Sequence, residues 1–292
     1  MRKGRQRAHA LWMLMRPWHV LKNVLVLMPA FFGGRILAAG MPLLGFVSMS
    51  LASSAVYALN DVHDAPQDRL HPAKRSRPVA SGEVTPAQAV LLSAACMALS
   101  LALPLLAGAS PVSLWPLLLY LAANLAYSLL GFKDIPIVDV TIVALGFVLR
   151  VMYGGLLAGV EVSNWLLLTV MMASYYMALG KRRNELRDTR EQTRAVLTRY
   201  TYDFLDRQMY LFLTLTVAFY SLWSVDAHTA PHAVLTVPVV ILLLMRYSLV
   251  VEGESGGDPI EVILHDRMLL ILAAVYVLLM FGLIYMQGGA VL

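Results

Sequence analysis

The sequence predicts an all-α integral membrane protein. Three observations carry the prediction: its composition, its series of apolar segments of bilayer length, and the one-sided placement of its lysines and arginines. Apolar residues make up 59 % of the 292 and charged residues only 14 %, with a mean hydropathy of +0.68. Soluble domains carry about 25 % charged residues, and a chain of this size could not hide so much apolar surface in a core of its own. Nine segments approach the roughly 20 residues a helix needs to cross the hydrocarbon layer: 20–38, 41–60, 86–107, 112–131, 136–158, 163–180, 208–225, 231–250 and 268–287. Gly33 and Gly34 interrupt the first. No soluble domain fits between these segments, so residues 1–292 read as one transmembrane domain. Its polar loops 61–85, 131–136 and 181–207 then gather as a cap on one side.

Orientation follows from the cations. With the N-terminus inside, 21 of the 23 lysines and arginines fall on inside segments; Arg35 lies outside and Arg150 within a helix. Such asymmetry places the N-terminus in the cytoplasm and the C-terminus outside. The net charge of +5 is therefore a matter of topology and gives no reason to expect nucleic acid as a partner. The basic start looks like a signal-peptide n-region, but no small-residue cleavage site follows the first apolar run, which reads as a retained helix. Cys96, the only cysteine, sits in an apolar run and can form no internal disulfide.

The end of the second segment reads Asn60-Asp61-Val-His-Asp64-Ala-Pro66-Gln-Asp68. On a helix, Asp61, Asp64 and Asp68 fall within a sector of about 60°. Three carboxylates on one face repel one another unless a cation lies between them. Mg²⁺, with Mn²⁺ as an alternative, takes hard oxygen ligands, commonly one or two carboxylates plus substrate phosphates. Asn60 can orient a phosphate or a ligand water. Pro66 is expected to disrupt the helix, which makes Asp61 and Asp64 the firm pair and Asp68 the weaker ligand. Arg69, His71, Lys74, Arg75 and Arg77 follow at once. Positive-inside topology accounts for bases in this loop but not for the acids. The combination suits a metal–diphosphate complex, in which acids hold the metal and bases take the remaining phosphate charge.

The turn between the fourth and fifth segments, Tyr127 through Lys133-Asp134-Ile-Pro136-Ile-Val-Asp139, forms a second polar group. Asp134 suits an N-cap and Pro136 a first helical turn. Asp139 lies one turn inside an apolar helix, where an acid is a functional candidate by default. Arg150 is eleven residues further, on nearly the same face and about 16 Å deeper. A third group, Lys181-Arg182-Arg183-Asn184-Glu185, follows the sixth segment; Lys181 and Glu185 are spaced to pair. Lys22, beside Trp18 and His19, opens the first segment, where snorkelling or interface anchoring also explains it.

The motif N-D-x-x-D-x-x-x-D, the second polar turn and the nine segments resemble the UbiA superfamily of intramembrane prenyltransferases over nearly the whole chain. More narrowly they look like its decaprenyl-phosphate phosphoribosyltransferase branch. That likeness rests on Arg16-Pro17 through Asn23, Asp68 through Gly82, Tyr127 through Lys133, Gly146 through Arg150, and Lys181 through Glu185. Aromatic prenyltransferases of the superfamily carry a second D-x-x-x-D motif. Here Asp134 and Asp139 stand one residue too far apart for it, and Lys133 stands where the narrower branch has a lysine.

The resemblance implies a UbiA-like bundle with a central cavity open to the cytoplasm, in the inner (plasma) membrane. It implies transfer of phosphoribosyl from phosphoribosyl diphosphate to a polyprenyl phosphate, on the way to an arabinose donor for cell-wall synthesis. Membrane lipid surrounds such a protein, and a homo-oligomer is compatible with the sequence. In this reading Asp61, Asp64, Lys133 and Asp139 are catalytic, with Asp139 bonding a ribose hydroxyl, and the metal lies on Asp61, Asp64 and Asp68. Lys22 meets the lipid phosphate. Asn60, Asp68, Lys74, Arg77, Tyr127, Arg150, Lys181, Arg182 and Glu185 complete the substrate contacts. The alternative is an aromatic prenyltransferase that uses a polyprenyl diphosphate.

Overall fold

The computed structural model describes residues 2–72, 74–187, 195–253 and 259–286, so positions 73, 188–194 and 287 of the predicted loops and segments lie outside it. Among the described residues the elements are helices and turns. They are α1 (Arg2–Leu14), α2 (Met28–Phe32), α3 (Gly40–Asp68), α4 (Pro86–Leu106), α5 (Trp115–Leu129) and α6 (Val138–Ala158). Then come α7 (Asn164–Arg187), α8 (Tyr202–Asp226), α9 (Val237–Glu252), α10 (Pro259–His265) and α11 (Arg267–Phe281). Seven helices among the described residues are long and apolar enough to cross a membrane. The chain is a multi-pass membrane protein. The 24 residues of α7 suffice in length, but its charged C-terminal end makes it less apolar than the others.

Polar caps set several helix starts. Thr85 and Gln88 form a reciprocal capping box at α4, with Pro86 in its first turn. Thr201 caps α8 and Asp266 caps α11 through backbone N–H groups two or three residues on. The 29 residues of α3 make a rod of about 44 Å, longer than a hydrocarbon core of about 30 Å. Its last turns, which carry the acids, therefore project beyond the membrane. Pro66 does not end this helix, against expectation. It falls in the last turn, where it removes a single backbone donor, and the helix runs on to Asp68.

The first predicted segment is not one helix. It is a 3-10 stretch over Pro17–Leu27, the short α2, and a further turn at Ile36–Ala38. Pro17 and Pro29 each begin a new element, and Gly33-Gly34 end α2. The 3-10 stretch lies across α3 and α6. A β-carbon on Gly154 of α6 would fall 1.9 Å from the Val26 carbonyl oxygen, so only glycine lets the two backbones meet there. Of the other eight predicted segments, five fall on single α-helices, and 112–131, 231–250 and 268–287 join an α-helix to a short 3-10 or π stretch. Over half of the spanning stretches of α3 and α6 is buried, against 11 % for Arg267–Met286. Thus α3 and α6 form inner walls, and the C-terminal helix presents its apolar side chains outward.

Candidate active site

A cavity of about 670 Å³ opens between α3, α5, α6, α7 and the 3-10 stretch. Asn60, Asp64 and Asp68 line one wall. Spaced by four residues, they form a stripe that turns only about 40° per step. Each acid of α3 holds a base. Asp64 Oδ1 accepts from Lys133 Nζ at 2.8 Å, and Asp68 Oδ2 from Arg77 Nη1 at 2.7 Å. Asp61 Oδ1 accepts from Arg16 Nη2 at 2.6 Å, with Arg77 Nη1 3.7 Å away. Arg16 also lies over the Tyr57 ring, 4.9 Å from its centroid. Asp61 is thereby covered: it is 2 % exposed and does not line the cavity. The acids differ in what they face. Asp64 and Asp68 face the cavity, while Asp61 anchors the two arginines beside it.

Local backbone places the bases. Gly131 adopts φ 74°, which turns the chain out of α5 into the short 3-10 turn Phe132–Asp134 that carries Lys133. Asp134 lines the cavity but does not cap α6, whose first residue is Val138; Pro136 lies ahead of the helix. Among the described residues no three Asp, Glu, His or Cys side chains are grouped to hold a metal ion by themselves. A stripe of two carboxylates and an amide still fits Mg²⁺, which needs only one or two carboxylates when substrate phosphates and water complete its octahedron.

Behind the wall lies a buried network. Arg182 of α7 donates to Asp139 Oδ2 at 2.6 Å, to Glu185 Oε2 at 2.8 Å and to the Tyr127 hydroxyl at 3.2 Å. The second oxygen of Asp139 accepts from Tyr200 at 2.6 Å. Asp139 is fully buried, and both oxygens are engaged by the protein. In this structure it does not line the cavity and holds Arg182 from behind. Glu185 likewise stands behind the cavity and pairs with Arg182. The Tyr200 hydroxyl also accepts from the N–H of Ile137 at 2.7 Å. Ile137 has φ 70°, a strained value for a β-branched residue, so Tyr200 fixes the turn between Lys133 and Asp139. Burial, and then the Asp139 carboxylate that accepts its hydrogen bond, push the Tyr200 phenol up from its ordinary value, which keeps it a neutral donor.

At the floor, Arg150 extends from α6 among Asn23, Ser53 and Tyr120. Lys22, Lys74, Tyr127, Lys181 and Arg182 line the cavity. Several contributors were not singled out as site residues from the sequence: Arg16, Asn23, Tyr120, Asn124 and Tyr200. Arg16 and Asn23 fall within a stretch that carries the family likeness, but spacing alone gives neither a partner; Asn124 is a lone amide in an apolar stretch.

The chain matches the UbiA prenyltransferase family over residues 24–270. It is 34 % identical to the decaprenyl-phosphate phosphoribosyltransferase of Corynebacterium glutamicum, over 94 % of this chain and 86 % of that one. It is 36 % identical to the protein of the same name from Mycobacterium tuberculosis, over 90 % of each chain. A UbiA homolog from Archaeoglobus fulgidus, solved bound to GPP and Mg²⁺, shares the fold at a TM-score of 0.74 and 21 % identity, over 94 % of this chain and 99 % of that one. With a matched family profile, curated relatives at this identity and a shared fold, the chain belongs to the UbiA prenyltransferase family, a family of membrane transferases.

Proposed function

We propose that the protein transfers 5-phosphoribosyl from phosphoribosyl diphosphate to a polyprenyl, decaprenyl-like, phosphate and releases diphosphate. The carrying observation is charge. Eight cationic side chains line this cavity against three acids, enough for two phosphate-bearing substrates at once. The names of the curated relatives support the same reading. The site opens at the cytoplasmic face of the inner membrane, where a soluble sugar phosphate can enter.

Asn60, Asp64 and Asp68 hold the metal together with the donor's diphosphate. When bound, Mg²⁺ neutralises the charge that grows on the leaving diphosphate. Lys133, Lys74, Arg77 and Lys181 are cations aimed at the same charge, and fixed cations lower the barrier electrostatically. Lys133 and Arg77 rest on Asp64 and Asp68 until the donor arrives. The bond from ribose C1 to the diphosphate oxygen breaks, and an oxygen of the polyprenyl phosphate bonds to C1 from the opposite face, with inversion. That oxygen is already anionic at neutral pH, so no strong general base is required. Lys22 meets the acceptor near the membrane boundary. Asp61 keeps Arg16 and Arg77 in place.

The test uses purified protein in detergent with ribose-labelled phosphoribosyl diphosphate, polyprenyl phosphate and Mg²⁺. Label should enter the lipid phase and be lost in the Asp64→Ala variant. No label in lipid, alongside turnover of a polyprenyl diphosphate with an aromatic acid, would instead assign an aromatic prenyltransferase.

A further inference from the structure

Two arginines are buried in the cavity wall, and only one has a counter-charge. Arg182 lies between Asp139 and Glu185. Arg150, 5 % exposed, has neutral partners only. Its Nε donates to Asn23 Oδ1 and its Nη1 to the Gly146 carbonyl, both at 2.7 Å. Its Nη2 donates to the Tyr120 hydroxyl at 3.2 Å and more weakly to Ser53 Oγ at 3.4 Å. The guanidinium lies over the rings of Tyr120 and Phe147, 4.7 and 5.5 Å from their centroids. Among the described residues no carboxylate reaches it. These contacts use four of the five N–H groups of a guanidinium, so one remains for a ligand.

A charge held inside a membrane protein is costly unless it is compensated, and arginine cannot escape by losing its proton. Dipoles and ring faces orient Arg150 but do not neutralise it. Among the described residues nothing supplies that charge, and the cavity that Arg150 lines gives an anion access to it. Depth says which substrate. Ser53 precedes Asp64 by eleven residues on α3, about 16 Å along the axis, so Arg150 lies far below the acids that would hold a diphosphate. The lining between Arg150 and the rim includes the apolar side chains of Val56, Ile142, Val143 and Phe147. A sugar phosphate gains nothing from such walls, whereas an isoprenoid does.

We propose that Arg150, oriented by Asn23, Ser53 and Tyr120, is the subsite for the phosphomonoester of the acceptor lipid. This rests on the phosphoribosyl-transfer reading for the identity of the acceptor. It also explains the geometry that reading requires: diphosphate at the rim, acceptor phosphate at the floor, and the sugar carbon between them for attack from the opposite face.

The test is equilibrium binding of farnesyl phosphate to the detergent-solubilised protein, with farnesol as the uncharged control. The wild type should prefer the phosphate by at least about tenfold, the size of one charge-assisted hydrogen bond. Arg150→Met should lose that preference while keeping farnesol affinity. Arg150→Lys, which keeps the charge without the planar fork, should fall between, and it serves alone if the methionine variant does not fold. Equal binding of both ligands by the wild type, or a preference that survives in Arg150→Met, would overturn the assignment. So would a rise in KM for phosphoribosyl diphosphate alone, which would make Arg150 a donor residue. If the wild type binds farnesyl phosphate through Arg150 but never transfers label from phosphoribosyl diphosphate, the transfer reading falls and the anion subsite stands.

Discussion

Arg182 and Arg150 have the same side chain, are both buried and both line the cavity, yet they do different work. Arg182 is held by two carboxylates and the Tyr127 hydroxyl, and Tyr200 bonds to one of those carboxylates, Asp139. Its charge is balanced within the fold, and it serves to lock α6, α7 and the turn after α5 together. Arg150 is held only by neutral groups, and its charge is balanced when a ligand is present. A buried ion pair is a structural element whose loss is felt in stability. A buried lone cation is a binding element whose loss is felt in affinity. The rim acids extend the contrast, because Asp64 and Asp68 are paired to bases that a metal–diphosphate complex can take over.

The largest effect should come from those exchangeable pairs. Asp64→Ala and Asp68→Ala should each lower kcat/KM by about 10³-fold, since a bound metal is worth several kcal/mol of transition-state stabilisation, and should raise the Mg²⁺ concentration needed for half-maximal rate. Asp61→Ala should disturb Mg²⁺ dependence less than either, because Asp61 is covered by arginines. An Asp61→Ala variant with the steepest rise in Mg²⁺ requirement would restore it as a direct ligand.

Next is the arginine comparison itself. Arg182→Met strands two buried carboxylates and should cost about 3–5 kcal/mol in unfolding experiments in detergent. Arg150→Met takes a donor from the Gly146 carbonyl and from Asn23, Ser53 and Tyr120, and the last three already lie within hydrogen-bond reach of one another through Ser53; its cost should stay under about 1.5 kcal/mol. Equal costs would erase the distinction drawn here. Gly154→Ala forces a β-carbon onto the Val26 carbonyl and should cost about 1–3 kcal/mol. It should also weaken acceptor binding, since the displaced stretch carries Lys22 and Asn23.

The smallest effect belongs to Tyr200→Phe. Loss of its two hydrogen bonds should cost about 1–2 kcal/mol and raise KM for the donor more than it lowers kcat, because Lys133 and Arg182 shift without being removed. The raised phenol keeps these bonds through neutral pH. Their contribution is fully present below the ordinary tyrosine value and fades only as pH climbs towards the elevated one. Wild type and Tyr200→Phe should therefore differ by a constant amount from pH 6 to 9.

Much of this was readable in the chain because it is local. Hydropathy finds a helix wherever about 20 apolar residues follow one another, and seven helices among the described residues are long and apolar enough to cross a membrane. The acid stripe on α3 lies in one stretch of nine residues, so helical spacing alone assembles it. What spacing cannot see is the partner. Arg16 reaches Asp61 across 45 residues, and Arg182 reaches Asp139 across 43. These contacts cover Asp61 and hold Asp139 behind the cavity wall. Pro66 misleads for a related reason: a proline breaks a helix only where turns remain to be broken, and here it lies in the last one. The 3-10 stretch is invisible to hydropathy because its composition is as apolar as a helix. Only Pro17, Pro29 and the glycine pair hint that the rise per residue changes.

The central claim is that the diphosphate handled at Asp64 and Asp68 belongs to the sugar and not to the lipid. The most direct measurement uses phosphoribosyl diphosphate labelled with ³²P in the β-phosphate and follows free diphosphate. Labelled diphosphate should appear only when polyprenyl phosphate and Mg²⁺ are both present, in amounts equal to the lipid product formed. Diphosphate released from a polyprenyl diphosphate instead, with the labelled sugar phosphate left intact, would contradict the account.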